Sequence, residues 1–201
     1  MPVTAETRIT AGEWRGRALV TPRHGREVRP TTSMVRQALF NMLGDLVVEA
    51  RVVDLYAGAG TVGFEALSRG AARATFVERD RAVLECVTAT ADKLGCRDRV
   101  RAVGAEVVTW LRGRPRELAE ADVVFLDAPY KDEGVVEALR LLGESPPPLV
   151  VCEHHRARRL PERIGGLDRV RETVYGTTRL TILKRAAADV ESQGVQADRC
   201  V

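Results

Sequence analysis

Five short apolar runs mark the middle of the chain: Val52–Leu55, Thr75–Glu78, Val100–Val103, Val123–Asp127 and Leu149–Glu153. They are close to continuously apolar rather than alternating. Between them lie longer stretches with the 3.6-residue spacing of helices, at roughly Val62–Arg69, Arg81–Leu94, Glu106–Arg112 and Glu133–Leu142. This alternation predicts an α/β domain with a parallel sheet covered by helices on both faces. Ahead of the first strand, Val35, Leu39, Met42, Leu43 and Leu46 form the stripe of one more helix, which Thr32 or Ser33 can cap. The ends differ. Arg8–Leu19 carries Gly12 and Gly16 among alternating residues and reads as a β-hairpin. Val170–Tyr175 and Arg179–Leu183 flank Gly176-Thr177 with no helix between, so the sheet is expected to finish on an antiparallel pair. Residues 186–201 have no periodicity and read as a disordered tail. The expected organisation is a hairpin extension over residues 1–28 and a main domain over 29–185.

Composition adds bounds. The 201 residues, 45% hydrophobic and 29% charged, suit one soluble domain with a real core. The net charge of +3 is unevenly spread. Seven arginines from Arg8 to Arg36 face only Glu13 and Glu27, and six from Arg156 to Arg171 face Glu162 and Asp168. Such patches suit a polyanion; they equally suit a solvated surface, since 28 of the 31 basic residues are arginine. Cys86, Cys96, Cys152 and Cys200 show neither C-x-x-C spacing nor a histidine at zinc-ligand spacing. A cytoplasmic protein with reduced cysteines and no metal is expected, and no stretch approaches membrane-spanning length.

The chemistry sits at strand ends. Asp54-Leu-Tyr-Ala-Gly-Ala-Gly60 follows the first strand, and its glycines permit a tight turn into a helix whose N-terminus offers free N–H groups. Glu78 ends the second strand, where an acid can accept both hydroxyls of a ribose. Gly58, Gly60 and Gly63 match G-x-G-x-x-G, with Glu78 20 residues after Gly58. That pattern is also the dinucleotide fingerprint. However, Asp54 would repel a pyrophosphate and suits the ammonium of a methionine moiety, which favours S-adenosylmethionine. Asp127-Ala-Pro-Tyr130 closes the fourth strand as a clamp for a planar amine: the Asp127 carboxylate and Ala128 carbonyl accept N–H bonds, Pro129 stiffens the turn, and Tyr130 offers a stacking face.

Arg29-Pro-Thr-Thr-Ser-Met-Val-Arg36, the Asp54–Gly70 stretch, Phe76-Val-Glu-Arg-Asp80, Asp127–Tyr130 and Tyr175-Gly-Thr-Thr-Arg-Leu180 occur in that order. Over about residues 7–185 the chain resembles the RsmD-type 16S rRNA guanine-N2 methyltransferases of bacteria. The resemblance implies a seven-stranded, Rossmann-like class I methyltransferase sheet with a small N-terminal hairpin. Its implied partner is 16S rRNA or the assembling small ribosomal subunit, met by a monomer without membrane contact. It places Asp54, Tyr56, Gly58, Gly60, Glu78, Arg79, Ala105 and Thr31 with the cofactor. Asp127, Ala128, Pro129 and Tyr130 would handle the guanine, and Arg8, Arg15, Arg17, Arg29 and Arg36 the RNA. The family usually has proline where this chain has Ala128, so a less rigid clamp is expected. Trp14 is expected to pack the hairpin onto the body. Adenine-N6 methylation of DNA, methylation of a glutamine amide, a nicotinamide-dependent oxidoreductase and a non-catalytic RNA-binding assembly factor are the competing readings.

Overall fold

All five apolar runs become neighbouring strands of one mixed sheet in the computed structural model, which describes residues 7–22, 33–128 and 134–187. In chain order the strands are β1 (Arg51–Leu55), β2 (Arg73–Glu78), β3 (Val100–Gly104), β4 (Val123–Asp127), β5 (Leu149–His155), β6 (Arg163–Ile164), β7 (Leu167–Tyr175) and β8 (Thr178–Arg185). Their spatial order is β3-β2-β1-β4-β5-β8-β7-β6. Strands β3 to β5 of that order run parallel, and β8, β7 and β6 add antiparallel pairs. The fold is the expected Rossmann-like one, with eight strands instead of seven. The extra strand, β6, is two residues long and carries no periodic signal.

Six α-helices lie among the described residues: α1 (Ser33–Leu43), α2 (Thr61–Ser68), α3 (Arg81–Leu94), α4 (Val107–Arg112), α5 (Arg116–Ala119) and α6 (Gly134–Glu144). The central strands β1, β2, β4 and β5 are almost wholly buried because both of their faces are covered. Val52, Phe76, Phe125 and Val151 point into a core shared with α1, α2 and α3. Their strand neighbours Val53, Val77, Val124 and Val150 point into a second core, under α4 and α6. Asp80 caps α3 by accepting from the N–H groups of Ala82 and Val83 at 3.0 and 3.4 Å, and Gly95 ends it at φ +72°.

The N-terminal arm is a hairpin closed by one bridge, Arg8 to Ala18. Ile9, Trp14 and Leu19 are buried in the same core as α1–α3, so the arm is built into the domain. Trp14 packs, as expected, and lies under the Arg99 guanidinium, 5.4 Å from its ring centre. Glu65, fully buried in α2, fixes the arm. Its Oε2 accepts from Thr10 N–H at 2.8 Å and Arg36 Nε at 3.1 Å. Its Oε1 accepts from the Thr10 hydroxyl, Ala11 N–H and Arg69 Nε at 2.6, 3.1 and 2.9 Å. Arg36 also donates to the Arg8 carbonyl at 2.6 Å. Burial lowers the Arg36 pKa from its ordinary value, and Glu65 opposes that shift.

Because a buried charge stripped of its partner is expensive, Glu65→Ala is expected to destabilise the protein by about 3–5 kcal/mol in urea unfolding. A loss below about 1 kcal/mol would mean that the pair behaves as a surface ion pair.

Candidate active site

Strand register gathers acids onto one edge. Asp54 lies level with Phe76 of β2 and Phe125 of β4. Side chains alternate along a strand, so Glu78, two residues past Phe76, and Asp127, two past Phe125, share its sheet face. Glu153 of β5 stands directly opposite Asp127. Four carboxylates therefore line the carboxyl edge of adjacent strands, at the point where the strand order reverses around β1, the place where open α/β sheets bind ligands.

The glycine loop closes over Asp54. Tyr56, at φ +59°, leaves β1 in a conformation that costs a non-glycine residue about 1–3 kcal/mol, and its ring packs against the second core. Gly58 and Gly60 follow at φ +54° and +81°, and Gly60 leads directly into α2. The Gly58 N–H donates to Glu78 Oε2 at 3.1 Å, and the Asp80 N–H to Oε1 at 2.9 Å. Both oxygens keep lone pairs for further donors. Asp54 Oδ2 accepts from the Gly63 N–H at 2.9 Å, inside the first turn of α2. Burial pushes the Asp54 carboxyl well above the usual carboxylate range; the Gly63 bond opposes this, and the charges of Asp127 and Glu78 reinforce it. Neither Asp54 nor Glu78 forms an ion pair with a described lysine or arginine. The edge thus fits a ligand with positive charge and hydroxyls, and disfavours a pyrophosphate.

Ala105, after β3, spends its N–H on the Glu78 carbonyl at 3.2 Å, tying two edge loops together. Glu106 beside it caps α4, accepting from Val108 and Thr109 N–H at 2.9 and 2.7 Å. Arg79 is exposed. Asp127 is partly buried, whereas Ala128 is 3% exposed and packs into the second core. Pro129, Tyr130, Arg29 and Thr31 lie outside the described residues.

The expected RNA contacts divide. Arg36 is 2% exposed and bound to Glu65, which makes it an internal strut rather than a surface contact. The cause is a buried carboxylate that requires a charged partner. Arg8, Arg15 and Arg17 are exposed. Arg17 donates to the Lys93 carbonyl near the end of α3, whose start adjoins Glu78. At 1.5 Å per residue this sets Arg17 roughly 18 Å from the acidic edge. Two residues of this arrangement, Glu153 and Glu65, carry no motif of their own in the sequence. Glu153 was only the end of an apolar run, and its register with Asp127 follows from pairing. Glu65 had no sequence signal beyond being an acid on the apolar side of a helix.

Fold and edge together define a Rossmann-like methyltransferase domain. A family model described as conserved hypothetical protein 95 matches residues 7–184. The chain is 33% identical over 190 residues to ribosomal RNA small subunit methyltransferase D of Escherichia coli, covering 92% of each. It is 36% identical over 141 residues to the protein of that name in Haemophilus influenzae, covering 70% of this chain and 72% of the relative. The solved structure of yhhF from Escherichia coli superposes with TM-score 0.77 at 32% identity, covering 90% of this chain and 99% of that one. The chain belongs to this RsmD family.

A Cβ at position 63 would stand 2.3 Å from Phe76 Cε1 and 3.1 Å from Asp54 Oδ2. The Phe76 ring, buried and packed on Phe64 at 4.9 Å, cannot yield freely. Gly63→Ala is therefore expected to cost about 1–3 kcal/mol in denaturant unfolding and to weaken S-adenosylhomocysteine binding in titration. Wild-type values for both would show that the loop is looser than its contacts.

Proposed function

We propose that the protein transfers the methyl group of S-adenosylmethionine to the exocyclic N2 of a guanine in 16S rRNA. One observation carries this reading: Asp127 stands on the strand next to Asp54, on the same sheet face, so an amine gripped by one lies beside a cation held near the other. The name of these relatives, ribosomal RNA small subunit methyltransferase D, supports the RNA substrate.

When bound, the cofactor supplies a methyl group already activated by its sulfonium. The residues of this chain have three tasks. The Glu78 carboxylate, held by two backbone N–H groups, accepts the ribose hydroxyls. The loop over Asp54 brings backbone N–H groups and an acidic floor to the methionine end. Asp127 and the Ala128 carbonyl each accept one N–H of the guanine amino group, localising its lone pair towards the methyl carbon. Positioning is the main catalytic contribution, with reacting atoms roughly 3–3.5 Å apart. Asp127 takes the released proton during or after transfer. Tyr130 is assigned the stacking role, worth about 1–3 kcal/mol per base. Ala128 is anchored by packing into the second core, without the φ restraint that the family's usual proline would add.

Incubation with radiolabelled cofactor and 16S rRNA, assembled small subunits, DNA or protein, followed by mapping of the label, tests the reading. Label on guanine N2 is expected; label on an adenine or on protein would overturn it. Asp127→Asn is expected to lower turnover roughly 10²-fold, the scale of a misplaced reacting group, while S-adenosylhomocysteine affinity stays within a few-fold. An equal loss of both would remove Asp127 from its assigned role.

Binding is also expected to be linked to protons. The free-state Asp54 carboxyl is raised, and a cationic ligand favours its ionised form, so the ligand lowers that pKa. Affinity for S-adenosylmethionine should then rise as pH increases through the window between the bound and free values. Calorimetry in buffers of different ionisation enthalpy reads the proton released; no release would place the positive charge elsewhere.

A further inference from the structure

The cationic turn after β5, Arg156–Arg159, takes no part in the chemistry above, yet it leaves the edge that carries Asp127. We infer that Arg156 and Arg159 hold backbone phosphates of the RNA strand beside the target base, an inference that rests on the proposed RNA methyl transfer. Asp127 pairs in register with Glu153, and the chain turns two residues further on, after His155. Both arginines are exposed there.

The turn is built, not loose. The Arg158 N–H donates to the His155 carbonyl at 2.9 Å, and the Ala157 N–H to His155 Nδ1 at 3.2 Å. The Arg156 N–H donates to the Thr177 carbonyl at 2.8 Å, and its guanidinium reaches the Gly176 carbonyl at 3.5 Å. The turn is thereby stapled to the β7–β8 hairpin, and a fixed backbone presents its side chains with less ordering cost on binding.

Charge on this side is in excess. Arg159 lies 3.7 Å from Glu172 with its side chain 75% exposed. The same carboxylate already accepts from Arg179 at 2.6 Å and faces Arg169 at 3.5 Å. Counting Glu162, 3.5 Å from Arg169, two carboxylates meet these three guanidiniums, and Arg156 adds a fourth cation that reaches a backbone carbonyl. Across the edge, Asp54, Glu78, Asp127 and Glu153 repel phosphate. An RNA strand can offer a base to those acids only if its phosphates are steered away and held by cations. The turn supplies such cations on the β5 side, whereas the exposed hairpin arginine Arg17 lies roughly 18 Å off. Unstacked bases in single-stranded RNA are the form that such an edge can admit.

The test is fluorescence anisotropy with the 16S rRNA fragment that the wild type methylates, across a potassium chloride series. Arg156→Ser/Arg159→Ser is expected to weaken binding about 5- to 10-fold and to reduce the slope of log affinity against log salt by roughly 1–2. S-adenosylhomocysteine binding should be unchanged, and Arg156→Lys/Arg159→Lys should restore most of the slope. Arg101→Ser/Arg116→Ser removes equal charge near the amino edge of the sheet and should leave the slope close to wild type. An unchanged slope in the first variant, or an equal loss in the amino-edge variant, would overturn the inference while RNA methylation stands. A wild type that binds no RNA and labels protein would overturn the function and this inference together.

Discussion

A carboxylate with no access to water governs how this molecule is assembled. Glu65 takes five donors from three separate pieces of chain: the arm at Thr10 and Ala11, α1 at Arg36, and Arg69 just past the end of its own helix. A buried charge persists only when its lone pairs are met, so the arm and α1 cannot leave α2 without stranding it. Helix α2 is also the helix that the glycine loop enters, and its Gly63 N–H holds Asp54. The network therefore reaches the ligand edge through one short helix.

That edge is polar for a related reason. Both sheet faces are sealed by helices, so polar side chains on the central strands find room only where the strands end. Parallel register then places Asp54, Glu78, Asp127 and Glu153 side by side. Burial of Asp54, reinforced by the charges of Asp127 and Glu78, disfavours its ionised form. A cationic ligand relieves that cost, and a phosphate aggravates it. The exposed arginines of the turn after β5, Arg156 and Arg159, stand beside that edge and are suited to the phosphate it repels.

Much of the fold was legible before any coordinates. Continuous apolar runs between amphipathic segments specify a covered parallel sheet, and the strand and helix bounds lie within a few residues of those expected. The two-residue β6 was not legible, because so short an edge strand exists only through its pairing with β7. The glycine loop, Glu78 and Asp127 were legible as chemistry because glycine and acid at a strand end have few other uses.

Arg36 marks the boundary of such reading. Its place in a basic stretch suggested RNA, and its environment makes it the partner of Glu65. Arg17, expected to meet RNA, is exposed and stands at the far end of α3 from the acidic edge. The sequence by itself determined the fold class, the loop and the acids, since these follow from periodicity and residue type within one element. Only the tertiary structure decided which charges are buried, which share an edge and which stand apart. Those are properties of distance across the sheet, and a linear pattern carries no such distance.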